Sequence, residues 1–217
     1  MISQRVTLQS KSSKARMAHR NTRERQMRER LAQEAAQILA ETGSRDFFAA
    51  KRKAAEHLGA IDTRNMPSNK EIEAALITYQ RLFRADRQPL ELKRLRQIAL
   101  QAMKFFSNFR PRLVGSVLRG TADTNSTVML HVSAATVEEV GLHLMENAIP
   151  FQTTDKRLRF GVERYQTLPV YRFLAEDTPI EVIVFPLDGS QQAPLSPVDG
   201  KSMQRADMAA VEKLLCD

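Results

Sequence analysis

The apolar spacing of this chain changes at Pro111, and that change constrains the fold more than any other feature. Before Pro111 the apolar residues recur every three or four positions, as on one face of a helix; after it they alternate, as in a half-buried strand. Met27, Leu31, Ala35, Ile38 and Thr42 share one face of a helix expected from Asn21, with Gly43 as its stop. Phe47, Ala50, Ala54 and Leu58 make a second stripe, ended by Gly59. Ser68 and Glu71 have capping-box spacing, and the helix they open carries Ile72, Ala75, Leu76, Tyr79, Leu82 and Phe83 on one face. A fourth helix starts near Pro89 and buries Leu92, Leu95, Ala99, Ala102, Met103 and Phe106.

Beyond Pro111, Leu113–Val117 and Val128–Val132 read as strands. Thr136 and Glu139 repeat the capping-box spacing before a helix that buries Val137, Val140, Leu144 and Ala148. "VYRFLA", a turn at "EDTP" and "IEVIVF" read as a hairpin, and a last helix covers about Ala206–Leu215. The expected fold class is therefore α+β, a helical segment followed by a mixed sheet with flanking helices. The expected divisions are a flexible basic arm over residues 1–20, a helical region over 21–108 and an α+β domain over 109–217.

Charge and composition narrow the function classes. The net charge is +8 in 217 residues. Its excess sits at the N-terminus, where Arg5, Lys11, Lys14, Arg16, Arg20, Arg23, Arg25, Arg28 and Arg30 face only Glu24 and Glu29. Such an arm attracts polyanions through counterion release, with Arg16, Arg20, Arg23 and Arg28 as candidate contacts; the plainer reading is a solvated arm that aids solubility. No apolar run approaches the roughly 20 residues of a membrane span, and no signal-peptide core is present, so a cytoplasmic protein is expected. The one cysteine, Cys216, forms neither an internal disulfide nor a Cys-rich zinc site. There is no P-loop run, and His19, His57, His131 and His143 have no metal-ligand spacing among them.

The stretch "LVGSVLRGTADTNSTVMLHV", Leu113–Val132, carries the chemistry. Gly115-Ser116 is a small-residue turn; Arg119-Gly120 follows, and then an apolar strand. This order resembles the signature of the DNA polymerase beta-like nucleotidyltransferase superfamily, over about Pro111–Pro186. The resemblance implies a phosphate held at Gly115, Ser116 and Arg119 above two strand aspartates, two residues apart, with a third acid on the later hairpin. Acids two apart on a strand point into one cleft and can share two divalent ions. Gly115-Ser116 read without the resemblance is a tight turn between packed elements.

At the two metal positions the chain carries Thr127 and Met129 instead. Thr127, Met129 and His131 should line the cleft from one strand face, with Val128, Leu130 and Val132 on the other. A hydroxyl, a thioether and an imidazole are a poor set for Mg²⁺. Glu181 matches the third acid by position, and Asp123 lies in the loop before the strand. Glu181 alone could act as a base, join His131 on a metal, or simply pair with an Arg.

The resemblance therefore points to a degenerate member of that superfamily, a regulatory protein binding a nucleotide, a nucleic acid or a protein partner, with no metal and no cofactor required. The alternatives are an active, Mg²⁺-dependent nucleotidyltransferase using Asp123 and Glu181 as catalytic acids, or a basic accessory protein that binds RNA or DNA through its N-terminal arm. No membrane partner is expected.

Overall fold

The computed structural model describes residues 3–44, 46–60, 65–189 and 192–216, with side chains from residue 22 onward. The fold is α+β: among the described residues there are seven α-helices and one five-stranded mixed sheet. Two compact units are present, residues 1–39 with 45–79, and residues 40–44 with 80–217.

The first unit is helical. Helix α1 (Ser3–Thr42) begins well before the expected start at Asn21. The arm's side chains, Arg16 and Arg20 among them, lie outside the described residues. Leu31, Ala35 and Ile38 are buried as their spacing requires, and Gly43 stops the helix at a φ of 65°. Helix α2 (Phe47–His57) is capped by Asp46, whose side chain accepts from the Ala49 N–H at 3.0 Å. Helix α3 (Asn69–Phe83) opens with the capping box read from the sequence. Glu71 N–H donates to Ser68 Oγ at 3.3 Å, and Ser68 N–H donates to Glu71 Oε2 at 2.7 Å. The expected stripe on α3 ends early: Ile72 and Leu76 are buried, but Leu82 and Phe83 are exposed. Gln80 is buried in their stead, which its amide tolerates because it donates to the Thr121 carbonyl at 3.0 Å.

The second unit is built on the sheet. Helix α4 (Gln88–Phe105) was expected with the helical region; its Leu95, Ile98, Ala99, Ala102 and Met103 instead join the core of the sheet. No strand lies among the described residues from Asn21 to Asn108. The strands are β1 (Arg112–Val114), β2 (Val128–Ala134), β3 (Gln152–Arg159), β4 (Tyr165–Ala175) and β5 (Thr178–Pro186), in spatial order β1-β2-β5-β4-β3. Only β2 and β5 run parallel. The first expected strand ends at Val114, because Gly115 has a φ of 78° and turns the chain into the short helix α5 (Gly115–Arg119). The hairpin turn at Glu176-Asp177 has positive φ at both residues, the backbone of a two-residue hairpin loop.

Helix α6 (Val137–Glu146) buries Val140 and Leu144, whereas Ala148 lies past its end, exposed, with a φ of 54°. Thr136 is its N-cap residue but makes no side-chain cap bond; only Glu139 reaches back, accepting from the Ala135 N–H at 3.3 Å. Helix α7 (Met208–Cys216) buries Val211. Leu113, Val128, Leu130, Val132, Ile180, Val182 and Val184 form the core with α4, α6 and α7. The opposite sheet face holds a smaller apolar cluster of Phe160, Leu168, Val170, Ile183 and Phe185. No helix among the described residues is long and apolar enough to cross a membrane.

Candidate functional site

Strand alternation sorts β2 as its sequence requires. Val128, Leu130 and Val132 are buried in the main core, so Thr127, Met129 and His131 project from the other face. In the parallel pairing Met129 lies opposite Glu181 and His131 opposite Ile183. On the β1 side, Met129 is opposite Val114 and His131 opposite Arg112. Gly115 is close to this row: a Cβ there would sit 3.2 Å from Met129 Sδ. Thr127, Met129, His131, Glu181 and Gly115 thus share one region of the sheet. Ser116 is buried at 3% exposure, and its carbonyl accepts from the Thr121 N–H at 3.0 Å to close α5. Arg119 stands half-buried in the last turn of that helix.

A groove of about 710 Å³ opens beside Thr127 and Glu181. Gln152 and Arg172 complete its polar part; Phe151, Phe173, Leu174 and Pro179 are among its apolar walls. The volume is that of a small-molecule pocket.

The electrostatics of Glu181 decide its chemistry. The residue is 7% exposed. Its Oε1 accepts from Lys156 Nζ at 2.5 Å, and Arg172 lies 3.8 Å from Oε2. Lys156 comes from β3, a strand whose polar sequence gave no apolar alternation to recognise. Arg172 stands opposite Glu181 on β4. A carboxylate neutralised in this way is a weak donor to a metal. Around it, the Thr127 hydroxyl, the Met129 thioether and the His131 imidazole do not fit a hard divalent ion. No group of three His, Cys, Asp or Glu residues able to hold a metal occurs among the described residues.

Asp123, the other acid considered, is held in a different network. It is 4% exposed and paired with the Arg84 guanidinium. Its Oδ1 accepts from the Thr124 N–H at 2.8 Å, and its own N–H donates to Ser126 Oγ at 2.9 Å. Gln88 Nε2 donates to the carbonyls of Gly120 and Ala122 at 3.0 and 2.9 Å. Gln80, Arg84 and Gln88, spaced by four, therefore hold the loop that leads into β2. Gln80 is on α3, Arg84 in the connection after it and Gln88 at the start of α4, so no single-helix periodicity marked them in the sequence.

His131 is 2% exposed, its ring 4.6 Å from that of Phe185, and neither ring nitrogen has a hydrogen-bond partner. Burial, reinforced by the charges of Arg205 and Lys156, pulls its pKa down to about 3, so the imidazole is neutral.

Of the arm's candidate contacts, Arg23 is exposed. Arg28 is already engaged: its Nε and Nη2 each donate to a Glu71 carboxylate oxygen at 2.8 Å. Comparison with family models, with curated proteins and with solved structures finds no match for this chain.

Proposed function

We propose that this chain binds a nucleotide on a nucleotidyltransferase-like framework and does not transfer it. The observation that carries the reading is the face of β2. Thr127 and Met129 stand where the superfamily pattern places carboxylates, and the acid paired opposite Met129, Glu181, is neutralised by Lys156. In-line nucleotidyl transfer depends on divalent ions that offset charge on the phosphates. This face supplies no such set of anionic oxygens.

Binding needs none of them. The groove offers Phe151, Phe173 and Leu174 to a planar base, and Thr127, Gln152 and Arg172 to polar atoms. Arg172 is half exposed and only loosely paired, so it can turn to an anion. On this reading the protein acts in the cytoplasm as a regulator whose state follows nucleotide occupancy.

Titration calorimetry with ATP, with and without Mg²⁺, tests the proposal alongside a label-transfer assay. Binding is expected in both titrations, with no transfer product. Glu181→Ala should leave affinity largely intact, and Arg172→Ala should weaken it. Robust metal-dependent transfer by the unmodified chain, abolished by Glu181→Ala or Asp123→Ala, would replace this reading with that of an active enzyme.

A further inference from the structure

The groove beside Thr127 and Glu181 carries two kinds of polar group, and they differ in what they have left to offer a ligand. The charged ones are matched. Glu181 holds Lys156 at 2.5 Å. Arg172, the one cation among the described lining residues, leans on the same carboxylate at 3.8 Å. The neutral ones are not matched. The Gln152 amide and the Thr127 hydroxyl both line the groove, and neither makes a side-chain hydrogen bond among the described residues. Gln152 is exposed and Thr127 half-buried, so a ligand can reach both.

The sheet register sets these groups beside an apolar floor. Gln152, Arg172 and Glu181 lie side by side on β3, β4 and β5 and share one sheet face. Two positions along β4 and β5, on the same face, Leu174 stands opposite Pro179. Pro150, two positions before Gln152, extends this floor. All three are exposed, Leu174 at 66%. Apolar side chains left open in a concave site favour a ligand surface that leaves water on meeting them. Strands β4 and β5 separate β3 from β2, so Gln152 and Thr127 bracket the floor at about 14 Å, three strand spacings.

The groove therefore suits a flat body of little charge, with hydrogen-bonding atoms along one edge. A nucleobase is such a body. An amide offers a donor and an acceptor side by side, the pattern that pairs with two atoms of a base edge. A polyphosphate is not such a body. Its several negative charges would enter a groove whose acid is already balanced, with Arg172 alone to turn to one of them.

We infer that Gln152 is the base-reading residue of this groove, and that the part of the nucleotide recognised there is the nucleoside. Arg172 matches the first phosphate and no more. Thr127 takes a ribose hydroxyl at the far end of the floor. The ligand class is a nucleoside or nucleoside monophosphate; further phosphates stand in solvent and add no affinity. No bond is made or broken. The inference rests on the nucleotide reading above and narrows it.

The test is calorimetric titration of the full chain, without Mg²⁺. The probes are the nucleosides, monophosphates and triphosphates of adenine, guanine, cytosine and uracil, with ribose 5-phosphate as the baseless control. For the base bound best, monophosphate and triphosphate should agree within about threefold, and the nucleoside should follow within about tenfold. Ribose 5-phosphate should not bind. Gln152→Ala should weaken the nucleoside and its phosphates alike, by about tenfold. Gln152→Glu, which has no donor, should re-rank the bases, a change that a merely structural role would not produce. Gln152 is exposed and makes no side-chain bond, so both variants keep the fold. Affinity that climbs about tenfold or more with each added phosphate overturns the inference and leaves the nucleotide reading standing. So does a Gln152→Ala chain that binds every nucleoside as tightly as the unmodified one. Silence across every series removes the nucleotide reading and the inference with it.

Discussion

Restoring acids to β2 gives the sharpest check on the geometry of the cleft face. In Thr127→Asp/Met129→Asp the new carboxylates would share a face with Glu181, and position 129 lies directly opposite it in the parallel pairing. Paired strands lie about 4.8 Å apart, so two like charges there repel by about 3 kcal/mol at an effective dielectric of about 20. Lys156 at 2.5 Å and Arg172 at 3.8 Å from the Glu181 carboxylate cancel much of this. The expected net loss of stability without metal is about 1–2 kcal/mol. Three carboxylates on one face make an oxygen site for Mg²⁺. A site with a Kd of about 1 mM, filled at about 10 mM Mg²⁺, returns about 1.4 kcal/mol by mass action. For a chain of this size that is a rise in Tm of roughly 3–6 °C. The assay is thermal melting of the variant and the unmodified chain, each with MgCl₂ or with NaCl at equal ionic strength. A folded variant that responds to Mg²⁺ no more than to Na⁺ would show that positions 127 and 129 do not converge with Glu181. A Mg²⁺ shift equally large in the unmodified chain would refute the argument that Thr127, Met129 and His131 are unfit for the ion.

Three further outcomes follow from the networks around that face. Arg84→Met strands the buried carboxylate of Asp123, so urea unfolding should show a loss of about 2–3 kcal/mol, partly recovered by adding Asp123→Asn; a loss under about 0.5 kcal/mol would mean the loop before β2 is held by Gln80 and Gln88 alone. Glu71→Ala removes the carboxylate half of the capping box and a half-exposed bidentate pair, together about 1–2 kcal/mol at pH 7. Hydrogen bonds from Arg28 and then Ser68 hold the Glu71 carboxyl down at about 2, so its contribution is present above the usual carboxylate value near 4.5 and fades as pH falls from there towards 2; a difference between Glu71→Ala and the unmodified chain that persists undiminished at pH 2 would contradict this. RNA or DNA binding, if carried by the arm, should fall steeply with salt and lose most of that slope when residues 1–30 are deleted, as read by fluorescence anisotropy.

Local periodicity made the two faces of β2 and β5 legible in the sequence. Alternation along a strand needs no tertiary information, so Val128, Leu130 and Val132 could be assigned to the core, and Thr127, Met129 and His131 to the opposite face, from spacing alone. Of these three only Thr127 lines the groove; His131 is buried and Met129 packs against the second apolar cluster. The same rule failed where polarity replaced alternation. Strand β3 reads QTTDKRLR and pairs at only one edge, so most of its residues are exposed or half-buried and few of them are apolar. Its absence from the sequence reading hid Lys156, and without Lys156 the state of Glu181 stayed open. The pair that settles it joins residues 25 positions apart. Asp123 repeats the lesson, since its counter-charge, Arg84, lies 39 positions away, just past the end of α3. A lone acid near a strand end is equally compatible with a metal ligand and with half of an ion pair. Its role follows from the nearest cation, which long-range pairing supplies. Once both acids are matched to their cations, Glu181 with Lys156 and Asp123 with Arg84, each is accounted for as half of an ion pair.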